Sequence, residues 1–253
     1  MSIRAEILDD QGEGIPILYV PGVDGSGLML LGAADRIARE FRLIRLCYQS
    51  VDEAPDDYES LAASLVTCIE ASGLERAILL SESFGGAITL QAALDRPYRV
   101  AALALVNSFS HYSRRLRLAL SRVSAPLVPR PLFHFGRRML APALFFGKLR
   151  EPDAIRRFRA EAGVCFDAPY RRRLALISRL DLRRRLKEIQ QPVSLFAGDR
   201  DRVVDSLAQA RSMCDALRNA ELEVIEGGGH LILPLEKLPW PRWLMQLAER
   251  ARM

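Results

Sequence analysis

The sequence predicts an α/β protein, a mostly parallel sheet of about seven strands with helices on both faces. Three observations carry that reading. Short apolar runs alternate with helical patterns along most of the 253 residues, as repeated strand–helix–strand units require. The runs at 100–106 and 193–197 are apolar at consecutive rather than alternate positions, which is how strands read when both faces are covered. The stretch Ile78-Leu79-Leu80-Ser81-Glu82-Ser83-Phe84-Gly85-Gly86 sets a serine between an apolar run ending in a small residue and a helix-like run opening on glycines. That is the pattern of a sharp strand-to-helix turn. Composition agrees: 49% apolar and 26% charged is ordinary for a globular chain. No apolar run approaches the roughly 18 residues that a membrane span needs.

In chain order, 3–8 reads as a first, edge strand, and Gly12 and Gly14 mark a turn. Residues 15–20 form a second strand that stops at Pro21-Gly22. Val23-Asp24-Gly25-Ser26-Gly27 is a glycine-rich loop leading to a helical pattern at 28–40, followed by a strand at 42–47. Asp56 or Asp57 caps a helix that runs to about Ser72, with Leu61, Leu65, Cys68 and Ile69 at helical spacing, and Gly73 ends it. The strand at 76–82 feeds Ser83, 84–95 is the next helix, and 100–106 is another strand. The sheet resumes at 193–197, which ends in Gly198-Asp199-Arg200-Asp201; a helix at about 205–218 follows. A strand at 221–225 ends in Glu226-Gly227-Gly228-Gly229-His230, and a last helix covers 235–250 with a break at Pro239 to Pro241.

Between these halves the alternation stops. Residues 108–190 contain no clear strand and several proline-punctuated helical patterns, so the expected organisation is a core of 1–107 and 191–253 with a helical cap at 108–190. One pattern, near 111–123, carries Leu116, Leu120 and Val123 on one face. Another follows Asp181 as a cap, with Leu182, Leu186 and Ile189 at i, i+4, i+7. The intervening 126–146 is apolar and aromatic. The insert holds 20 of the 36 basic side chains and only 6 acidic ones, in a chain of net charge +5, so the remainder is acidic. Only Lys148, Lys187 and Lys237 are lysine; so strong an arginine bias fits a genome of skewed base composition and weakens any reading of arginine abundance alone. The basic insert reads first as a solvated face. Steering of anionic substrates and contact with an anionic membrane surface are the other readings. No motif for nucleic acid accompanies the charge, so no nucleic-acid partner is expected.

The four cysteines, Cys47, Cys68, Cys165 and Cys214, lie far apart without C-x-x-C spacing. That argues against a zinc site and a disulfide framework and for small core residues. The opening residues 1–6 lack the apolar centre of a secretion signal, so a cytoplasmic location is expected. There is no internal repeat and no low-complexity tract.

A nucleophile on a sharp turn needs small neighbours two before and two after it, and Ser81 and Gly85 stand there. S-x-S-x-G is a modest departure from G-x-S-x-G. The helix that follows directs its positive end at the turn. Read alone, the same stretch equally suits Ser83 as an ordinary helix N-cap.

With Pro21-Gly22, Ser81-Glu82-Ser83-Phe84-Gly85-Gly86, Gly198-x-x-Asp201 and Gly228-Gly229-His230 in that order at strand ends, the chain resembles the α/β-hydrolase family, whose order is serine, then acid, then histidine. The resemblance covers about 15–110 and 190–250; the insert matches only in that members often carry a helical cap there. It implies a catalytic Ser83, activated by His230 as base. The other histidines, His111 and His134, lie in the insert away from any strand end. It implies Asp201 as the carboxylate that orients His230, with Asp199 and Asp205 as fallbacks; Asp199 suits a turn-shaping role and Asp205 a helix cap. It implies an oxyanion hole built from the backbone N–H groups of Val23 and Phe84. Pro21-Gly22 stands where the family often has His-Gly. Asp24 reads as stabilising its own loop through an Asx-type bond. The glycine loop matches neither phosphate-binding pattern.

In this fold a cap shapes the pocket, and Leu132, Phe133, Phe135 and Leu144 are the expected lining of an acyl cleft; packing of the cap onto the core is the bland reading of the same residues. The expected function is a serine hydrolase that cleaves a small-molecule carboxylic ester or thioester through an acyl-enzyme, without metal or cofactor. Acyl transfer to an alcohol on the same triad, and a non-catalytic binding module of the same fold, are the alternatives.

Overall fold

The computed structural model describes residues 2–51, 57–112, 142, 144–161 and 168–253. Seven strands form one sheet: β1 (Ser2–Gln11), β2 (Pro16–Val20), β3 (Arg42–Val51), β4 (Ala77–Glu82), β5 (Val100–Val106), β6 (Val193–Gly198) and β7 (Ala220–Ile225). Their order across the sheet is β1-β3-β2-β4-β5-β6-β7. Only the edge strand β1 runs antiparallel, against β3; the other neighbours are parallel. The helices of the core are α1 (Gly32–Ala38), α2 (Tyr58–Ala71) and α3 (Phe84–Asp95), then, after the insert, α6 (Ser206–Ala216) and α7 (Trp240–Arg250). Within the insert, α4 (Pro152–Glu161) and α5 (Ala168–Ile177) are described, and no strand is found among its described residues.

Strand period two sorts the core into two layers. Leu18, Val20, Ile44, Leu46, Leu79, Leu103, Leu105 and Leu195 face α2, α3 and α6. Ile17, Tyr19, Leu43, Ile78, Leu80, Ala102, Ala104 and Phe196 face α1 and α7. Every residue of β4 and β5 is buried, which is why these strands lack alternation. Trp240, fully buried, meets Phe196 edge-on at 5.0 Å and pins α7 to the sheet.

Chain connections leave β2 toward β3 on one side and leave β4 toward β5 on the other, although β2 and β4 are neighbours. Ligands bind where connections diverge in this way, outside the carboxyl ends of the strands. The 21–27 loop and the turn at Ser83 both emerge there.

The structure departs from expectation in four places. First, β1 and β3 run on beyond 3–8 and 42–47, because they pair with each other and Asp9–Arg45 and Asp10–Arg42 ion pairs tie the extension. Second, the segment after Asp181 is not an α-helix but a turn and a 3-10 helix, Leu186–Glu188. Leu182, Leu186 and Ile189 are nonetheless buried. Third, the last helix starts at Trp240 rather than 235, with proline in its first turn, where no amide donor is lost. Fourth, Asp205 occupies the N-cap position of α6 in a left-handed conformation, φ 58°, with no side-chain capping bond. Asp57 does cap α2, accepting from Ser60 N–H. The pattern at 111–123 lies largely outside the described residues. The insert enters and leaves the core side by side, through an isolated bridge between His111 and Asp181. Its Phe146, Ala154 and Phe158 join the second core layer, and its Leu174 and Ile177 join the first. Cys47 and Cys68 are buried free thiols; Cys165 lies outside the described residues.

Candidate active site

Ser83 stands between β4 and α3 with φ 49° and ψ −117°. A side chain in that region costs about 1–3 kcal/mol of strain and persists only where the surroundings impose it. They do so here: Ser83 N–H donates to Val106 O at 2.9 Å, and Ser83 O accepts from Gly86 N–H at 3.1 Å and Ser108 Oγ at 2.8 Å. Its hydroxyl makes no capping bond to the helix, so the N-cap reading of the sequence is set aside. Gly85 is required by close approach rather than by dihedral freedom. A Cβ there would sit 2.4 Å from Val20 O and 2.5 Å from Pro21 O. Serine at 81 is accommodated because its buried hydroxyl meets Thr89 Oγ1 at 3.1 Å.

Asp201 follows β6 and His230 follows β7, and their side chains meet: His230 Nδ1 lies 2.8 Å from Asp201 Oδ2. Both are nine-tenths buried. Asp201 also accepts Val203 N–H at 2.7 Å on Oδ1 and the Ser206 hydroxyl on Oδ2. Burial opposes its charge, but the nearby His230 and these hydrogen bonds outweigh burial and hold the carboxyl below its ordinary value. Burial likewise opposes charging His230. The field and hydrogen bond of Asp201, and more weakly Glu82, overcome it and raise the imidazole above 6.5. Because an ionised carboxylate only accepts, Nδ1 carries the proton toward Asp201 and the Nε2 lone pair is left free. Asp199 instead accepts Gly227 N–H at 2.7 Å and shapes the turn.

One dipeptide ties serine and histidine loops together. Asn107, at φ 45°, donates through Nδ2 to Gly229 O at 2.9 Å and His230 O at 2.7 Å, and its Oδ1 accepts Gly198 N–H at 2.8 Å. The next residue, Ser108, donates to Ser83 O. Ser83 Oγ itself makes no hydrogen bond to His230 among the described residues; such contacts are often loose without substrate.

The N–H groups of Val23 and Phe84 find no protein acceptor among the described residues. Phe84 opens α3, whose first amides have no intrahelical partner and whose dipole favours negative charge. Val23 lies in the turn closed by Gly25 N–H to Gly22 O at 3.1 Å. Asp24 makes the Asx contact with Ser26 N–H at 3.0 Å. Two free amides beside a strained serine can hold an oxyanion, and a carboxylate-oriented imidazole can move its proton.

Three residues outside the predicted set belong to this neighbourhood. Asn107 bore one sequence signal, a polar residue directly after an apolar strand. Arg173, from α5, donates to Val23 O at 2.6 Å and Asp24 O at 3.0 Å. Glu82, 4% exposed, keeps Oε2 without a hydrogen bond, and the Tyr19 hydroxyl faces it without completing one. Burial, reinforced by Asp24, pushes Glu82 up to about 7. Of the expected pocket, Leu132, Phe133 and Phe135 lie outside the described residues, as does His134, and Leu144 is 45% exposed. The neighbouring Phe145, also from the insert, reaches the site with its ring 6.2 Å from that of His230. Among the described residues no group of three or more His, Cys, Asp or Glu is arranged to hold a metal ion, and no helix is long and apolar enough to cross a membrane.

Comparison with known proteins agrees with the fold. The family described as the alpha/beta hydrolase fold matches residues 32–237. The provisionally named carbamate hydrolase RutD of Klebsiella pneumoniae is 26% identical over 244 residues, covering 90% of this chain and 89% of that protein. Among solved structures, the enol-lactonase from Burkholderia xenovorans superposes with a TM-score of 0.81 at 17% identity, covering 98% of this chain and 96% of the other. A protein from Mycobacterium tuberculosis, BpoC, provisionally named a non-heme bromoperoxidase, gives 0.83 at 18% identity, covering 100% and 98%.

Proposed function

The chain belongs to the α/β-hydrolase family, and on that premise we propose that it is a serine hydrolase acting on an ester or thioester carbonyl of a small molecule. Ser83 attacks the carbonyl carbon while His230 Nε2 takes the hydroxyl proton, and Asp201 holds the ring and stabilises the imidazolium. Val23 and Phe84 N–H groups bind the oxyanion. The tetrahedral intermediate collapses to an acyl-enzyme as His230 returns the proton to the leaving group. Water, activated by the same histidine, then releases the acid. The observation that carries this reading is the pairing of His230 Nδ1 with Asp201 Oδ2 at 2.8 Å, at the sheet edge from which the strained Ser83 projects.

The reaction needs no metal or cofactor. The insert acts as a cap over the site, with the Phe145 ring 6.2 Å from that of His230 and Arg173 bonded to the carbonyls of Val23 and Asp24. Acyl transfer to an alcohol uses the same acyl-enzyme, and the 8% exposure of Ser83 is the observation that favours it. A ratio of alcoholysis to hydrolysis that rises steeply with added alcohol would select that variant.

The test is fluorophosphonate labelling of the wild type and Ser83→Ala, then turnover of a p-nitrophenyl ester series, with thioester and carbamate substrates alongside. The wild type is expected to label, and Ser83→Ala to lose the label and at least about 10⁴-fold in kcat. Label retained in Ser83→Ala would remove Ser83 as the nucleophile.

A further inference from the structure

The turn that presents Val23 has five consecutive carbonyls, each with a fixed donor. Pro21 O accepts from the Tyr48 hydroxyl at 2.8 Å, Gly22 O from Gly25 N–H at 3.1 Å and Gly25 O from Tyr48 N–H at 2.8 Å. These donors belong to the core. The two central carbonyls are different: Val23 O and Asp24 O are gripped by Nε and Nη2 of Arg173, at 2.6 and 3.0 Å, from a helix 150 residues further along the chain. Arg173 is 4% exposed, and its guanidinium lies over the Tyr48 ring at 5.8 Å. Its planar fork matches two successive carbonyls in a way a point charge cannot.

Val23 and Asp24 are the middle residues of the 22–25 turn, where rotation of a peptide plane costs least. The Val23 N–H shares its plane with Gly22 O, and a single backbone bond, from Gly25, holds that plane. The next two planes are held by Arg173. Without it, two part-buried carbonyls lose their donors, and between the Tyr48 bonds at Pro21 O and Gly25 O the turn keeps only the Gly22–Gly25 bond and the Asp24–Ser26 contact.

We propose that Arg173 is a positioning residue for the oxyanion hole: carried by the insert, it braces the central residues of the turn that presents the Val23 N–H, so core and insert complete the site together. The inference rests on the serine-hydrolase reading above. Arg173 touches no reacting atom. It acts through the turn, and it makes transition-state stabilisation depend on α5 being seated.

The experiment uses the full chain with Arg173→Met and Arg173→Lys. A p-nitrophenyl ester gives kcat and KM. A trifluoromethyl ketone, whose tetrahedral adduct places an oxyanion in the hole, gives an inhibition constant. Arg173→Met is expected to lose about 10- to 100-fold in kcat with KM within about 3-fold, and ketone affinity should fall by the same factor as kcat/KM. Arg173→Lys, which reaches one carbonyl at a time, should recover part of both losses. If Arg173→Met does not fold, a drop of kcat and ketone affinity in step in Arg173→Lys carries the same expectation. Folded variants with lower Tm but wild-type kcat and ketone affinity would overturn the proposal and leave Arg173 a purely structural strut. Labelling that depends on Ser83 in the wild type separates the two questions. With it in place, unchanged Arg173 kinetics sink only the brace; wild-type protein that neither labels nor turns over sinks the serine-hydrolase reading and the brace with it.

Discussion

In the proposed site the acid–base half, Asp201 with His230, and the oxyanion half, the 21–25 turn with Phe84, are loops at the same sheet edge, yet they are supported in different ways. Asp201 is fixed by Val203 and Ser206 of the core. The backbone of the histidine loop is fixed by Asn107 of the core and, from the insert, by Phe145 O, which accepts Leu231 N–H at 2.8 Å, and by the Gly147–Gly228 bridge. The oxyanion turn takes two of its five carbonyl donors from the insert. On the proposed mechanism the insert therefore reaches both halves, through its main chain at the histidine loop and through one side chain, Arg173, at the oxyanion turn. The insert's contacts to the histidine loop are main-chain bonds that do not depend on side-chain identity, whereas its hold on the oxyanion turn rests on the Arg173 side chain, so side-chain substitution in the insert weighs more on the oxyanion half.

The sharpest way to separate the halves is to damage the acid–base side without emptying it. Asp201→Asn keeps the volume and its Oδ1 can still accept from Val203, but an amide nitrogen in the place of Oδ2 no longer accepts from Ser206 and offers hydrogens to His230 Nδ1, which favours the wrong tautomer. A loss of about 10⁴-fold in kcat is expected, with a small change in Tm. That far exceeds the Arg173 effect, because a misplaced donor is weakened and a mistautomerised base is disabled. A loss below about 10-fold would transfer the orienting role away from Asp201.

Asn107→Ala comes next. It strands Gly198 N–H and the carbonyls of Gly229 and His230 in a buried setting. Unpartnered groups of this kind cost about 1–3 kcal/mol each, relieved where water enters, so a stability loss of about 2–4 kcal/mol by urea unfolding is expected. Activity should fall about tenfold through a loosened His230 loop. Stability equal to the wild type would mean the histidine loop is not held by Asn107 as described.

Much of this was legible in advance because it is local. Unalternating apolar runs marked β4, β5 and β6, small residues marked the Ser83 turn, and glycine-ended strands marked the loops of Asp201 and His230. The tail of β1 was not legible: Asp9 and Asp10 are poor strand formers, held by Arg45 and Arg42 across the sheet. Leu182, Leu186 and Ile189 kept helical spacing and were buried, but the chain reaches Pro192 and β6 within a few residues, and a 3-10 turn buries the same side chains over the shorter path. Asn107 and Arg173 act on partners 122 and 150 residues away. No pattern within a window of sequence encodes such pairings, and Arg173 looks like any member of an arginine-rich insert.

Glu82 tests the boundary between the halves, since it precedes Ser83 and faces both Asp24 of the turn and His230. Its carboxyl sits at about 7 in the folded protein against an ordinary 4.5, through burial first and Asp24 second. The folded state therefore binds more protons than the unfolded chain between those values, and stability falls as pH rises through that window. Above it the penalty is complete. Glutamine has no such penalty, so Glu82→Gln should match the wild type near pH 4 and exceed it by about 1–3 kcal/mol at pH 8. Activity should move too, by less. Ionised Glu82 contributes to the raised pKa of His230, so the acidic limb of kcat/KM, expected above pH 6.5 in the wild type, should shift toward lower pH in the variant while the plateau stays within about 3-fold. Urea unfolding at both pH values and a pH–rate profile are the measurements. A stability difference that does not depend on pH would show that Glu82 is not titrating in the fold. An unmoved acidic limb would show that its charge does not reach His230.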